Sequence, residues 1–180
     1  MLIKVLGIDL GKTSFHLIGH DHAGREVYRK KCNRTQLLKI LLQLDKTTVA
    51  MESCAGSHWL ARKCQQFGHN TKLIPPQYVK PYVKTNKNDY IDADAIAEAS
   101  TRPSMRFVSV KTEESQILSA VQRIRSGFIK EQTATMCRIG ALLLEFGITF
   151  PRGHAAMVWG NYFSGLPIKI TPYHRFCSKN

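Results

Sequence analysis

The chain is short of acidic residues. Its 180 residues include 13 Asp plus Glu against 26 Lys plus Arg, which leaves a net charge of +13 at pH 7. A chain with so little negative charge favours polyanionic partners, of which nucleic acid is the first to consider. No basic amphipathic helix stands out in the sequence, which weakens the alternative of an anionic membrane surface.

The cysteine pattern of a disulfide framework or a zinc ribbon is also missing. The five cysteines are odd in number and scattered, and no two of them form a Cys-x-x-Cys pair. No apolar signal region precedes the first strand, and no uninterrupted apolar run is long enough to cross a bilayer. These absences predict reduced thiols and a cytoplasmic protein without a membrane partner.

Strand and helix patterns occupy the first part of the chain, and the 43% apolar content is enough for a core. Asn33 is expected to cap the first helix, with Gln36 at the capping-box position. The patterns are, in order, strands at 2–9, 11–19 and 26–31, a helix from 34 to about 45, a strand at 47–52, a helix at 57–67 and a strand at 72–74. This order predicts an α/β domain with a mixed sheet flanked by helices, as in RNase H and RuvC-like domains.

Four carboxylates stand where strands end or a helix begins. Asp9 and Glu52 each end an apolar strand. Asp89 and Asp92 are three residues apart at the start of a helix expected over 90–100, with Asp89 as its cap, so both point to one side of the first turn. An acid at the end of an apolar strand is costly unless it is paired, solvated or bound to a cation. Mg²⁺ meets that need because it prefers oxygen ligands.

The same four acids are the candidate catalytic and metal-binding residues. Two Mg²⁺ ions about 4 Å apart, or Mn²⁺ in their place, would activate a nucleophilic oxygen and stabilise the leaving oxygen of a phosphodiester displacement. Without metal, four such groups in one place would repel and raise each other's pKa values. Asp94 is the main rival ligand, although with Glu98 it is more simply explained as part of a solvated helix face.

Basic residues accompany this set along the chain. Between residues 77 and 88, Tyr78 and Tyr82 are interleaved with lysines, which suits either a segment that grips nucleic acid or a solvated loop. The candidate nucleic-acid contacts are Lys12, Lys80, Lys84, Lys87, Arg123 and Arg125.

A long helical pattern runs from 113 to 146, with apolar residues in a four-three spacing typical of coiled coils. It predicts either one projecting helix that pairs with a partner or two helices that bend near Gly127. After residue 150, Pro and Gly separate aromatic residues without any period. We therefore expect three parts: an α/β domain at 1–103, a helical extension at 104–150 and an irregular tail at 151–180.

Five motifs give the sequence a family resemblance. They are Gly7–Lys12, Met51–Gly56, Asn88–Ala97, Arg123–Arg125 and Leu144–Ile148. Over roughly residues 3–153 the chain resembles the DEDD transposases of bacterial insertion sequences, a family with a RuvC-like N-terminal domain that is associated with bridge-RNA-guided recombination. The resemblance implies Mg²⁺-dependent DNA cleavage and strand transfer, with Asp9, Glu52, Asp89 and Asp92 as the metal-binding acids. It also implies guide RNA binding and homo-oligomer formation through the helical extension.

The resemblance stops before the C-terminal end. Family members continue into a C-terminal transposase domain with a serine thought to be the attacking nucleophile, whereas this sequence ends at Asn180. Residues from about 157 onward do not resemble the family and read like a frameshifted tail, so neither Ser164 nor Ser178 is a candidate for that serine. The expectation is a truncated chain that binds metal and nucleic acid but does not complete recombination alone.

Three segments of the sequence allow other interpretations. Gly7–Thr13 also resembles the first phosphate loop of actin-like ATPases and sugar kinases, but the sequence shows neither the second similar domain nor the later glycine-rich motif of those proteins. Ser53–Gly56 lies at a strand-to-helix turn without the Gly-x-Ser-x-Gly of a hydrolase, so Cys54 is expected to be a small packed residue. Three histidines lack an acidic or cysteine ligand to complete a zinc site and are expected on a hairpin surface: His16, His20 and His22.

A non-enzymatic alternative stays open. In it the chain is a nucleic-acid-binding or regulatory fragment whose carboxylates hold metal without turnover. The net positive charge and the four acids fit both the enzyme and the non-enzymatic fragment, so only a measurement of activity separates these two hypotheses.

Overall fold

The computed structural model describes residues 2–83 and 88–147. Its elements are β1 (Val5–Leu10), β2 (Ser14–His20), β3 (Glu26–Asn33), α1 (Arg34–Gln43), β4 (Thr48–Glu52), α2 (Ser57–Gln66), β5 (Asn70–Ile74), α3 (Pro76–Val79), a 3-10 turn (Lys80–Tyr82), α4 (Asp89–Ser100) and α5 (Glu113–Leu144). Some sequence predictions fall outside the described residues: those for Lys84, Lys87, Ser164, Ser178 and the tail at 151–180.

The five strands form one mixed sheet in the order β3-β2-β1-β4-β5. β1, β2 and β3 pair antiparallel as a meander, whereas β1 with β4 and β4 with β5 pair parallel. Parallel neighbours need a crossover, and α1 and α2 supply the two that occur here. The predicted element order and the predicted fold class, an α/β mixed sheet flanked by helices, are confirmed.

The first helix begins where the sequence predicted. The Asn33 side chain accepts a hydrogen bond from the Gln36 backbone N–H at 2.9 Å, and the Gln36 side chain accepts one from the Asn33 N–H at 3.0 Å. This reciprocal pair is a capping box, which satisfies two backbone donors that a helix start otherwise leaves without partners. The cap therefore fixes the point where β3 gives way to α1.

Each face of the sheet has its own apolar core. On one face Leu6 and Ile8 of β1 pack with side chains of α1 and α2. On the other face Val5 and Ala50 pack against α4, whose Ile96 is buried. Because side chains alternate along a strand, odd-numbered β1 residues and even-numbered β4 residues share the face that α4 covers.

Helix α4 lies very close to β1 at Gly7. A Cβ atom at this position would lie 2.2 Å from the Ala93 carbonyl oxygen and 2.8 Å from the Ala97 Cβ. Only glycine in the strand and alanine in the helix allow this approach. At its C-terminal end α4 is also held by Lys72 of β5, whose ammonium group donates to the Ser100 carbonyl at 2.8 Å.

The chain after α4 returns to the sheet. Val108 forms an isolated antiparallel bridge with Leu73, and Val108 and Val110 pack against the α1/α2 core. Between β5 and α4, the described part of the lysine- and tyrosine-containing stretch at 77–88 lies largely in α3 and the 3-10 turn.

Helix α5 runs without interruption through Gly127, which selects one long helix over two bent ones. The described chain divides into two compact units, with the boundary between Gln116 and Ile117. Apolar side chains of α5 are exposed to solvent, including Ile124 and Phe128. Within the described residues, no helix combines the length and the apolar character that crossing a membrane requires.

We predict that Gly7→Ala lowers the free energy of unfolding by at least about 2 kcal/mol, because the new methyl group overlaps helix backbone that cannot move independently of the core. Urea unfolding followed by circular dichroism measures this. Gly127→Ala is the matched control, since nothing lies within 4 Å of its Cβ position and alanine favours a helix interior by roughly 0.5–1 kcal/mol. Equal effects of the two changes would contradict the close packing of α4 on β1.

Candidate metal centre

Strand alternation places Asp9 and Glu52 on the same face of the sheet as α4. Asp9 follows Val5 and Gly7 on the odd-numbered side of β1, and Glu52 follows Ala50 on β4. These two strands are parallel neighbours, with Ile8 paired to Met51. Both acids therefore stand near the carboxyl ends of adjacent parallel strands, where α4 begins.

The first turn of α4 supplies the other two acids. The predicted cap was wrong: Asn88, and not Asp89, is the cap, and its side-chain oxygen accepts a hydrogen bond from the Tyr90 N–H at 3.2 Å. Asp89 and Asp92 both belong to the first helical turn. Because Asn88 does the capping, the Asp89 carboxylate is left for another role, and 63% of this side chain is exposed.

The charges of the four acids act on one another. Burial raises the pKa of Asp9, and the negative charges of Asp92, Asp89 and Glu52 raise it further, while His16 opposes them. Burial also raises the pKa of Glu52, with a further increase from Asp92 and an opposing effect from Lys80. The structure thus brings Asp92, Asp89 and Glu52 within electrostatic reach of Asp9, and Asp92 within reach of Glu52.

The donor chemistry of this acidic cluster (Asp9, Glu52, Asp89 and Asp92) suits a hard divalent cation. Carboxylate oxygens are the ligands that Mg²⁺ prefers, and a bound cation would offset the repulsion that raises the Asp9 pKa. In residues 2–83 and 88–147, no three His, Cys, Asp or Glu side chains already form a group that could hold a metal ion. The cluster therefore fits a cation by charge and chemistry, and its side chains must reorient to share one.

A histidine that the sequence analysis placed on a hairpin surface lies beside the acidic cluster. His16 is only 4% exposed, so that prediction was wrong. Its Nδ1 atom lies 3.4 Å from Asp89 Oδ2 and 3.9 Å from Asp9 Oδ2. The available signal was the β1–β2 hairpin register, which pairs His16 with Asp9, but the sequence does not reveal which face of the hairpin a later helix covers.

A second buried histidine holds the rival ligand. His20 is 6% exposed, and its Nε2 lies 2.7 Å from Asp94 Oδ1. The predicted solvated face for Asp94 and Glu98 is therefore wrong for Asp94, because this carboxylate meets a buried ring. Glu98 instead pairs with Arg102 near the surface.

Cys54 is exposed, which corrects its predicted place as a packed residue. It follows Glu52 in the turn before α2. Although the residue is exposed, partial desolvation of its thiol raises the thiol pKa, and the negative charges of Glu52 and Asp9 raise it further. The thiol is therefore kept protonated and is a poor nucleophile.

The described basic candidates are all exposed. Lys12 follows β1 just after Asp9, and Lys80 lies close enough to Glu52 to lower its pKa. Arg123 and Arg125 are exposed on α5. Lys80 thus lies beside the acidic cluster, whereas Lys12 is near Asp9 along the chain.

We predict that Asp9→Asn raises the stability of the metal-free protein at pH 7 by on the order of 1 kcal/mol, or roughly 2–4 °C in Tm. The folded-state pKa of Asp9 is raised, so its ionised form costs stability at neutral pH, and this cost disappears as the pH falls below the ordinary value of about 4. Thermal unfolding of the wild type and the variant at pH 7 and at pH 3.5 measures the stabilisation at neutral pH and its disappearance at low pH. A loss of stability at pH 7 would show that Asp9 does not experience the repulsion described.

Comparison with known proteins identifies the family. The DEDD transposase model of the IS110 group, described as a transposase, matches residues 6–148, so the chain belongs to this transposase family. It is 48% identical over 155 residues to the transposase for insertion sequence element IS1328 of Yersinia enterocolitica, which covers 86% of this chain and 46% of that protein. It is 45% identical over 151 residues to the transposase for IS1111A of Coxiella burnetii, which covers 84% of this chain and 42% of the relative. The chain spans about half the length of these curated relatives.

Two solved structures of Thermus thermophilus RuvC are also similar, each at 15% identity. The RuvC structure covers 58% of this chain and 99% of the matched chain, with a TM-score of 0.45. RuvC in complex with a Holliday junction substrate covers 60% of this chain and 100% of the matched chain, with a TM-score of 0.43.

Proposed function

We propose that this chain is the N-terminal catalytic part of an insertion-sequence transposase, which cleaves and transfers DNA strands with the help of Mg²⁺ or Mn²⁺. The observation that supports this most is the convergence of the four acids at one end of the sheet: the charges of Asp92, Asp89 and Glu52 raise the pKa of Asp9, and the charge of Asp92 raises that of Glu52. Membership of the transposase family gives that cluster a substrate class, DNA.

The four acids come from two kinds of element. Asp9 and Glu52 lie on strands whose backbones pair with neighbouring strands, whereas Asp89 and Asp92 lie on the first turn of α4. When bound, divalent cations supply activation of the attacking oxygen and stabilisation of the leaving oxygen in a phosphodiester displacement. A bound cation would lower the raised pKa values of Asp9 and Glu52, because positive charge favours the ionised carboxylates.

Basic residues around the cluster are proposed to position the DNA backbone. Lys80 is next to Glu52, Lys12 follows Asp9 closely along the chain, and Lys84 and Lys87 remain candidates from the sequence alone. Arg123 and Arg125 of α5 are proposed to bind guide RNA or DNA, and α5 is proposed to associate with copies of itself through its exposed apolar residues. We propose 1–103 as the catalytic domain and 104–150 as the extension that serves these partners.

Cleavage is tested with the purified chain, magnesium or manganese, and DNA that carries insertion-sequence ends, branches or single strands. We expect Asp9→Asn to lower metal-dependent cleavage at least about 100-fold, because the variant keeps the fold but loses a carboxylate ligand. Asp45→Asn makes the same charge change at an exposed position between α1 and β4 and should leave cleavage unchanged. Wild-type protein that binds these DNAs in a salt-sensitive way but cuts none of them would favour the non-enzymatic binding fragment.

Phosphate contacts are tested by salt dependence. We predict that Lys12→Ala and Lys80→Ala each weaken DNA binding modestly and uniformly across sequences, and that each lowers the slope of log K against log salt by about 1, because each removes one released counterion. Fluorescence anisotropy between 50 and 200 mM salt gives these slopes. A double variant with an unchanged slope would remove this surface from the DNA path.

A further inference from the structure

His16 is a buried side chain whose Nδ1 atom has no hydrogen-bond partner in the described part of the chain. Leaving a buried polar atom without a partner lowers the stability of the fold. Such a cost at a functional site suggests that the partner is made in another state of the protein. The unpaired nitrogen faces two members of the acidic cluster, Asp89 Oδ2 at 3.4 Å and Asp9 Oδ2 at 3.9 Å.

The ring of His16 is held on several sides. The antiparallel register places it directly beside Asp9, one strand away. From α4, Tyr90 packs edge-on against the ring, with centroids 4.9 Å apart and an angle of 77° between the planes. Arg29 of β3 lies over the Tyr90 ring in turn, 5.1 Å from its centroid. His16 therefore cannot turn its free nitrogen to solvent without unpacking Tyr90.

His20 shows what a completed contact of this kind looks like. It lies four residues further along β2 on the same face, is equally buried, and contacts α4 through Asp94 at 2.7 Å. The same strand thus presents two histidines to two carboxylates of one helix. The His20–Asp94 distance is that of a hydrogen bond. The His16–Asp89 distance exceeds an ordinary hydrogen-bond length of about 2.7–2.9 Å by well under 1 Å.

We propose that His16 is a positioning residue for the metal-binding carboxylates. A small rotation of Asp89 lets its carboxylate accept a hydrogen bond from Nδ1–H, which links the α4 acid to β2 at the residue paired with Asp9 and orients both acids for a shared cation. Side chains that hydrogen-bond to a metal ligand without touching the metal commonly orient that ligand. The inference rests on the proposed metal site and adds a residue that is not one of the four acids.

Manganese binding tests this role without any need for turnover. Titration of the full chain with Mn²⁺, followed by the electron paramagnetic resonance signal of free Mn²⁺, should give an affinity about 10–100-fold weaker for His16→Leu than for wild type. His16→Asn should recover most of the loss, because the asparagine amide places an N–H donor near the position of Nδ1. His20→Leu is the matched control: it removes a buried histidine and its carboxylate contact from the same strand, and it should leave the affinity within about 2-fold of wild type.

The possible results separate the two proposals. If Mn²⁺ binds the wild type and Asp9→Asn equally weakly, the metal site itself is wrong. If Asp9→Asn loses Mn²⁺ while His16→Leu retains it within about 2-fold, or if His16→Asn binds no better than His16→Leu, only the role of His16 is overturned. Pulsed magnetic resonance on the wild type decides even if His16→Leu does not fold: the positioning role expects no directly bound nitrogen on Mn²⁺, and a directly bound imidazole nitrogen would refute it.

Discussion

The structure depends on the close approach of α4 to β1 at Gly7. With no side chain at that position, the helix backbone lies directly on the central strand, and Ala93 and Ala97 fill the space that remains. Three of the four acids are placed by this contact: the strand contributes Asp9, and the start of the helix contributes Asp89 and Asp92. A larger residue at position 7 would move two acids relative to the third, so the packing of small residues sets the geometry of the charged ones.

Near that contact the fold holds several carboxylates close together, and their repulsion costs free energy of folding. The raised pKa values of Asp9 and Glu52 report partial burial and mutual repulsion, neither of which benefits the metal-free fold. Functional sites often store such local conflicts, which a ligand then relieves. Two buried histidines reach α4 from β2, and only one of them has completed its contact with a carboxylate. The contacts of the acidic cluster are thus less complete than those of the sheet that supports it.

Local sequence signals were enough for much of this fold. The capping pair Asn33 and Gln36, the strand alternation and the acids at strand ends could all be read without knowledge of the tertiary structure. The burial of His16 and His20 could not, because it depends on a helix that begins about seventy residues later and covers one face of the hairpin. The cap of α4 was misassigned for a different reason: Asn88 and Asp89 are adjacent residues with equal capping ability, and only the backbone angles distinguish them.

The two ends of α4 are held very differently. Its C-terminal half is buried on the sheet and tied to Lys72, whereas its first turn carries two acids and is held by the Asn88 cap and by the packing of Tyr90 on His16. Helices fray from their ends, and an end with few buried contacts opens most often. We therefore expect the turn that bears Asp89 and Asp92 to exchange its amide hydrogens faster than the buried half of the helix, and an ion shared with Asp9 would slow that exchange by tying this turn to β1. Loading of the ion and ordering of the helix start would then be one event.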